Sequence, residues 1–295
     1  MPGRSREAKS LARFFILRRP PPSTFCGKPN GMGFFLEPIR TAAAARGLNL
    51  LAATPADRYD AGVKLEYRAA TIAPAAKSII VIGNGGGAFW KAFKRHTEEN
   101  PGWTAHDNPL DDFTRFAIER EIAPLLARSG LAHTFVYPFL NTGPTLNFME
   151  AGKAAGLSGP SILGVVVHPV YGPWIAFRAA ILVDELIDAP GEGYRFDPCP
   201  SCIPRSCITA CPVEAVSATG GWDIPKCLSH RVEVEADCAP RCHARAGCVL
   251  GPEHRYPDDE LAYHQMRSLR AMRPYYEAHL KPERTDPPQR HKDTK

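Results

Sequence analysis

The chain has 295 residues and a net charge of +5, from 36 basic and 31 acidic residues. Hydrophobic residues at 44% and charged residues at 23% sit near globular averages, which excludes wholesale disorder and allows one large domain or two ordinary ones. The basic excess is too mild for a nucleic-acid binder, and no apolar run is long enough for a membrane span.

In chain order, residues 1–31 come first, rich in arginine and lysine and short of acid. Residues 11–17 are too short for a secretory core, contain Arg13, and run into Arg18 and Arg19 without a cleavage site. An organelle leader shares this composition, but Met32 opens a good helix entry, so residues 1–31 read as a disordered or mis-started extension. Leu36, Ile39, Ala43 and Leu48 then follow helical spacing, with Pro38 expected in the first turn and Gly47 as the cap. Residues 78–83 are a β-branched run entering Gly85-Gly86-Gly87. That run lacks both phosphate-loop and dinucleotide fingerprints, so a tight turn or a crowded backbone explains it better.

Residues 111–129 predict an amphipathic helix, bent by Pro124 and ended by Gly130. A strand over 133–137 and a helix over 146–155 follow. Residues 162–167 and 175–183 predict two strands paired antiparallel around the turn 168–174. Residues 32–190 therefore read as an α+β domain with a mixed sheet. From 191 to 252 apolar periodicity fades, and a segment so poor in core needs a staple. A helix over 258–280 and a charged tail complete the 253–295 segment.

Eight of the nine cysteines fall between Cys199 and Cys248. The first group is Cys199-x2-Cys202-x4-Cys207-x3-Cys211-Pro212, followed by a short helix expected to start at Val213. Three thiolates on one tight loop can hold three corners of a cubane, while the proline turns the fourth toward another cluster. The second group is Cys227-x10-Cys238-x3-Cys242-x5-Cys248. Eight thiols are the complement of two [4Fe–4S] clusters. The crossed scheme of two-cluster ferredoxins assigns Cys199, Cys202, Cys207 and Cys248 to the first, and Cys211, Cys227, Cys238 and Cys242 to the second. Four disulfides would need an oxidising compartment with no export signal to reach it. Structural zinc would prefer two separated Cys-x2-Cys pairs, and only Cys199/Cys202 has that spacing. One cluster with spare thiols is the remaining alternative. His230 and His243 are near enough to serve as ligands, or are simple loop histidines, and Cys26 is a bystander thiol.

The stretch from Asp223 to Glu233, after the Cys-Pro segment, resembles the epoxyqueuosine reductase family, itself related to reductive dehalogenases. Residues 141–147, 155–161, 171–174 and 181–184 resemble further stretches of that family. The resemblance implies a nitroreductase-like, corrinoid-type domain followed by a small ferredoxin-like 4Fe–4S domain, with electrons passed to cobalamin. Asn141 and Ser161 are placed at the cofactor pocket; His168 and Tyr171 are candidate polar groups there, the alternative being that His168, before a proline in a turn, is structural. Asn141 stands where the family has a catalytic aspartate, and an amide cannot supply that proton. The family's C-terminal repeats that grip transfer RNA are also missing. A true epoxyqueuosine reductase is therefore not expected.

These readings converge on a cytoplasmic iron–sulfur oxidoreductase that relays single electrons from a ferredoxin- or flavodoxin-type donor to a cofactor or small-molecule substrate. The alternatives are a ferredoxin-like carrier without a catalytic site of its own, and a metal-stapled structural scaffold.

Overall fold

In the computed structural model, residues 33–140, 143–187 and 195–281 are described. Expectations for residues 1–31, for Asn141 and for the charged tail after residue 281 lie outside them. Two strongly β-branched runs make the centre: β2 (Ser78–Gly85) and β4 (Ile175–Val183), flanked by β1 (Leu50–Pro55) and β3 (His133–Val136). The order is β1-β2-β4-β3, and every pairing is antiparallel. Side chains alternate across a strand, so Ile80, Ile82 and Ile181 face one layer, while Ile79, Val81 and Leu182 face the other. Both layers are apolar, and all of β2 is buried. Helices Gly33–Ala45, Ala88–Glu99 and Pro109–Ala117 pack on the first face, whereas Tyr59, Leu146 and Ala151 cover the second.

Several expectations change in detail. The first helix starts at Gly33, so Pro38 lies inside it, not in its first turn. The predicted 111–129 helix runs from Pro109 to Ser129 and contains a π-type turn at Ile118–Ile122. Pro124 follows directly and has no N–H to donate, so the hydrogen-bond ladder must shift there. Residues 162–167 do not form a strand; β4 pairs with β2 and β3 instead. The 156–174 segment keeps only isolated bridges, Gly159 with Val167 and His168 with Gly172.

The reason is that this segment serves as a seat for the cysteine-rich module. Gly164 lies under the indole of Trp222, where a Cβ would overlap the ring. Gly172, at φ +56°, lies against the Leu250 carbonyl in the same way. Both positions need a residue without a side chain and with access to left-handed backbone. The module is built from short helices and one hairpin, β5 (Val216–Ser217) with β6 (Gly221–Trp222). The helix expected from Val213 is absent: Glu214 turns left-handed at φ +52°, and the chain enters β5.

The last described helix, Asp258–His279, ties the module to the sheet. Leu269 and Tyr276 pack on Leu228 and Ala239 of the module. Asp259 accepts from Trp90 Nε1 at 3.0 Å and Lys94 Nζ at 2.9 Å on the opposite side. No helix among the described residues is long and apolar enough to cross a membrane.

Candidate functional site

The module brings its eight cysteines into two neighbourhoods, and all eight are free thiols. In the first, the turn from Cys199 to Cys202 closes through Cys202 N–H to the Cys199 carbonyl at 3.2 Å. Cys207 sits in the short helix Ser206–Thr209, whose entry requires Arg205 at φ +43°. Gly247 lets that helix pack directly against His243–Ala246, which carries Cys248 to the same place. Burial raises the Cys207 thiol above its ordinary pKa, and the nearness of Cys248, Cys199 and Cys202 raises it further. Cys199 and Cys248 are raised by burial too, while backbone hydrogen bonds from Ile162 and Leu250 pull each back.

In the second neighbourhood Cys211, Cys227, Cys238 and Cys242 line one cavity of about 150 Å³, walled by Leu163, Val165 and Val216. Two sulfurs accept backbone N–H groups: Cys211 from Ala215 at 3.3 Å and Cys242 from Arg245 at 3.4 Å. Burial raises Cys227, and a hydrogen bond with Trp222 lowers it. Cys238 is pushed up to about 12 by burial and by the adjacent Asp237 carboxylate. That carboxylate also joins His243 Nε2 at 2.9 Å and His230 Nε2 at 3.3 Å.

The spacing of these thiols bears on what they can hold. Four thiolates on one zinc ion stand ~3.8 Å apart, from Zn–S bonds of about 2.3 Å in a tetrahedron. Among the described residues, the ligand group closer than 4.8 Å throughout is His230, Asp237 and Cys238, and neither thiol quartet is so tight. Two sets of soft sulfur donors, neither drawn in to single-ion spacing, suit a multi-iron cluster by their donor chemistry.

The other expected contacts fall in two places: His168 and Tyr171 lie together, ring centroids 5.0 Å apart, while Ser161 lines a separate cleft. Ser161 lines a cleft with Cys199, Asp197 and Arg205, and its Oγ donates to the Val165 carbonyl at 2.5 Å. His168 is occupied by its own turn: Nδ1 accepts the N–H groups of Val170 and Tyr171 at 3.0 and 3.2 Å. Burial, with His254 nearby, lowers its pKa to about 4. Tyr171 lays its ring on Gly85, where a Cβ would overlap it, and its ring centroid lies 4.6 Å from that of His254, tilted at 57°. Its hydroxyl accepts from Asn49 Nδ2 at 3.2 Å. Tyr171 thus crowds the glycine run at Gly85, and Asn141 lies outside the described residues.

Three residues carry weight that no motif announced. Asp237 clamps two histidines beside the second quartet. Arg245 donates twice to the Pro173 carbonyl, at 2.6 and 3.1 Å. Glu260 is buried at the junction with the sheet. A charged residue three positions after a cysteine does not single out Arg245, since Arg205, Glu214 and Arg241 share that spacing.

No family model matches the chain, and no curated protein matches it in sequence. Solved structures do share its architecture. Epoxyqueuosine reductase from Streptococcus thermophilus aligns with a TM-score of 0.51 at 14% identity, over 74% of this chain and 66% of that one. The Caenorhabditis elegans B12-trafficking protein CblC, a homologue of human MMACHC, aligns at 0.52 and 12% identity, over 79% and 91%. A selenomethionine-labelled epoxyqueuosine reductase aligns at 0.50 and 17% identity, over 78% and 68%. The class is thus an α+β sheet protein that carries a cysteine-rich module. Within it, the chain has the fold seen in epoxyqueuosine reductase and CblC, and spans about two thirds of the length of the streptococcal enzyme.

Proposed function

We propose that the protein is an iron–sulfur oxidoreductase that takes single electrons from a ferredoxin- or flavodoxin-type donor and delivers them to an acceptor on the sheet domain. The observation that supports this reading is the pair of thiol quartets, each wider than a single-ion site. Cys199, Cys202, Cys207 and Cys248 would hold one [4Fe–4S] cluster, and Cys211, Cys227, Cys238 and Cys242 the other. Bound there, such clusters supply one-electron storage and release. The chain's own part is to stabilise the thiolates and shield them. The N–H groups of Ala215 and Arg245 donate to sulfur, which stabilises negative charge on it. Leu163, Val165 and Val216 exclude water from the second quartet.

The fold shared with a B12-trafficking protein makes cobalamin a second acceptor to test. Anaerobic purification followed by iron, sulfide and cobalt analysis decides both points. About eight irons and eight sulfides per chain are expected from two cubanes. Zinc in place of iron overturns the redox reading in favour of a scaffold. Protein that holds iron but neither carries cobalt nor binds added cobalamin is a carrier or a reductase of another acceptor.

A further inference from the structure

We propose that Glu260 is a redox-linked proton site, which takes up a proton when the second cysteine quartet receives an electron, with Arg245 standing between them. The inference rests on reading that quartet as a [4Fe–4S] site.

Glu260 lies in the first turn of helix Asp258–His279 and is 1% exposed. Among the described residues, neither of its carboxylate oxygens has a hydrogen-bond partner. A buried ion without partners is far costlier than the neutral acid, so the site favours the protonated form. Burial accordingly pushes its pKa up to about 8, against the opposing pull of Arg178 and Arg245. The surroundings are equally unusual. Asn84 Nδ2, Trp174 Nε1, Arg178 Nη2 and His264 Nε2 are also buried and unpaired. Arg178 Nε donates to Asn84 Oδ1 at 2.8 Å, and His264 Nε2 stands 3.8 Å from Glu260 Oε1. These groups come from β2, the turn before β4, β4 itself and the last helix. Each orphaned buried group calls for an explanation, and Glu260 and His264 are the two among them that can carry a proton.

The connection to the quartet is Arg245. Its side chain lines the cavity of Cys211, Cys227, Cys238 and Cys242. Its guanidinium lies 4.8 Å from the Trp174 ring and 5.0 Å from Tyr256, whose own ring stands 5.7 Å from His264. The remaining charged or titratable groups that face Glu260 are Arg178 from β4, Lys94 from helix Ala88–Glu99, Asp259 and His264 on its own helix, and Tyr256. Lys94 is paired with Asp259 at 2.9 Å, and Arg178 also feels Asp111.

The step balances simply. One electron enters from the donor, one proton from solvent forms an O–H bond on a Glu260 oxygen, and re-oxidation returns both. Added negative charge on the quartet reaches Glu260 through Arg245, which lines the quartet's cavity and itself pulls the Glu260 pKa down, so reduction raises the carboxylate's affinity for its proton. Below about pH 8 Glu260 already holds the proton in both redox states, so the coupling appears above that pH.

The test is a redox titration of the anaerobic holoprotein, followed by electron paramagnetic resonance at a series of pH values. The potential of the second cluster is expected to be flat below about pH 8 and to fall above it, by at most ~59 mV per pH unit for one electron and one proton. The first cluster stays flat, and Glu260→Gln removes the slope. A flat wild-type profile, or a slope that survives in Glu260→Gln, overturns the proposal. Redox-difference infrared spectra of the wild type give a reading independent of how the variant folds. A buried carboxylic acid band gained on reduction above pH 8 supports the site, and no such band overturns it. Absence of the second cluster's signal at every pH overturns the cluster reading along with it. A second cluster with a pH-independent potential overturns the proton site alone.

Discussion

Arg245 lays its guanidinium 4.8 Å over the ring of Trp174 while donating two hydrogen bonds to the carbonyl of Pro173. One side chain from the cysteine module thereby grips two successive residues at the entry to β4. It does so next to Cys242, whose sulfur accepts the Arg245 backbone N–H. The fork joins the module to the sheet domain at the entry to β4.

Arg245→Ala is therefore expected to lower stability by about 2–3 kcal/mol, from a charge-assisted hydrogen-bond pair and a partly desolvated cation–π contact. Arg245→Lys should recover less than half of that, because an ammonium cannot reproduce the planar fork. Anaerobic urea denaturation of the three proteins measures it. Equal stability for Lys and Arg would mean that charge alone matters at this position.

How far the sequence could be read follows from which signals are local. The β-branched runs of β2 and β4 announce themselves, because their strands are buried on both faces and need no partner to be recognised. The cysteine groups are likewise visible, since three thiols on one loop are a local pattern. The 162–167 segment misleads for the opposite reason: its apolar residues serve the module that covers it, and Gly164 and Gly172 are shaped by Trp222 and Leu250, far along the chain. Glu260 and Arg178 could not be found at all from spacing. Each looks like an ordinary charged residue until the fold buries them within electrostatic reach of each other.

Gly172 offers a direct check on that seat. An L-residue held at φ +56° costs about 1–3 kcal/mol, and a Cβ there also strikes the Leu250 carbonyl, two residues beyond Cys248. Gly172→Ala should destabilise the protein and loosen the first quartet, visible as selective iron loss on mild chelation. Gly62→Ala is the control, since its Cβ would meet only the Tyr59 carbonyl at 3.6 Å. That substitution is expected to change stability by no more than about 0.5 kcal/mol.

His168 makes stability fall in acid. Its folded pKa of about 4 lies below the unfolded 6.5, so between these values the unfolded chain binds more protons. The folded protein is fully favoured above pH 6.5 and loses up to ~3 kcal/mol from this group as pH falls to 4, after which the loss levels off. Protonation also removes the Nδ1 acceptor of the Val170 and Tyr171 N–H groups. An asparagine keeps an acceptor oxygen near that position and does not titrate. Urea titrations at about pH 7.5 and about pH 5.5 should show a smaller acid loss for His168→Asn than for the wild type. Equal losses would assign the acid sensitivity to other groups.

The interleaving of the two quartets gives the sharpest test of the ligand assignment. Along the chain Cys248 is closest to Cys242, but in space it raises Cys207 together with Cys199 and Cys202. Removing a thiolate ligand from one cubane should leave the other intact, so Cys202→Ser is expected to retain about four of about eight irons and one of two reduced-state signals. Cys248→Ser should then give the spectrum of Cys202→Ser, and Cys242→Ser should give the complementary one. Grouping by sequence predicts instead that Cys248→Ser and Cys242→Ser look alike. Only the crossed arrangement, made possible by Gly247 drawing the two short helices together, puts Cys248 with residues more than 40 positions earlier. Paramagnetic resonance of the three variants, reduced under identical conditions, separates the two groupings.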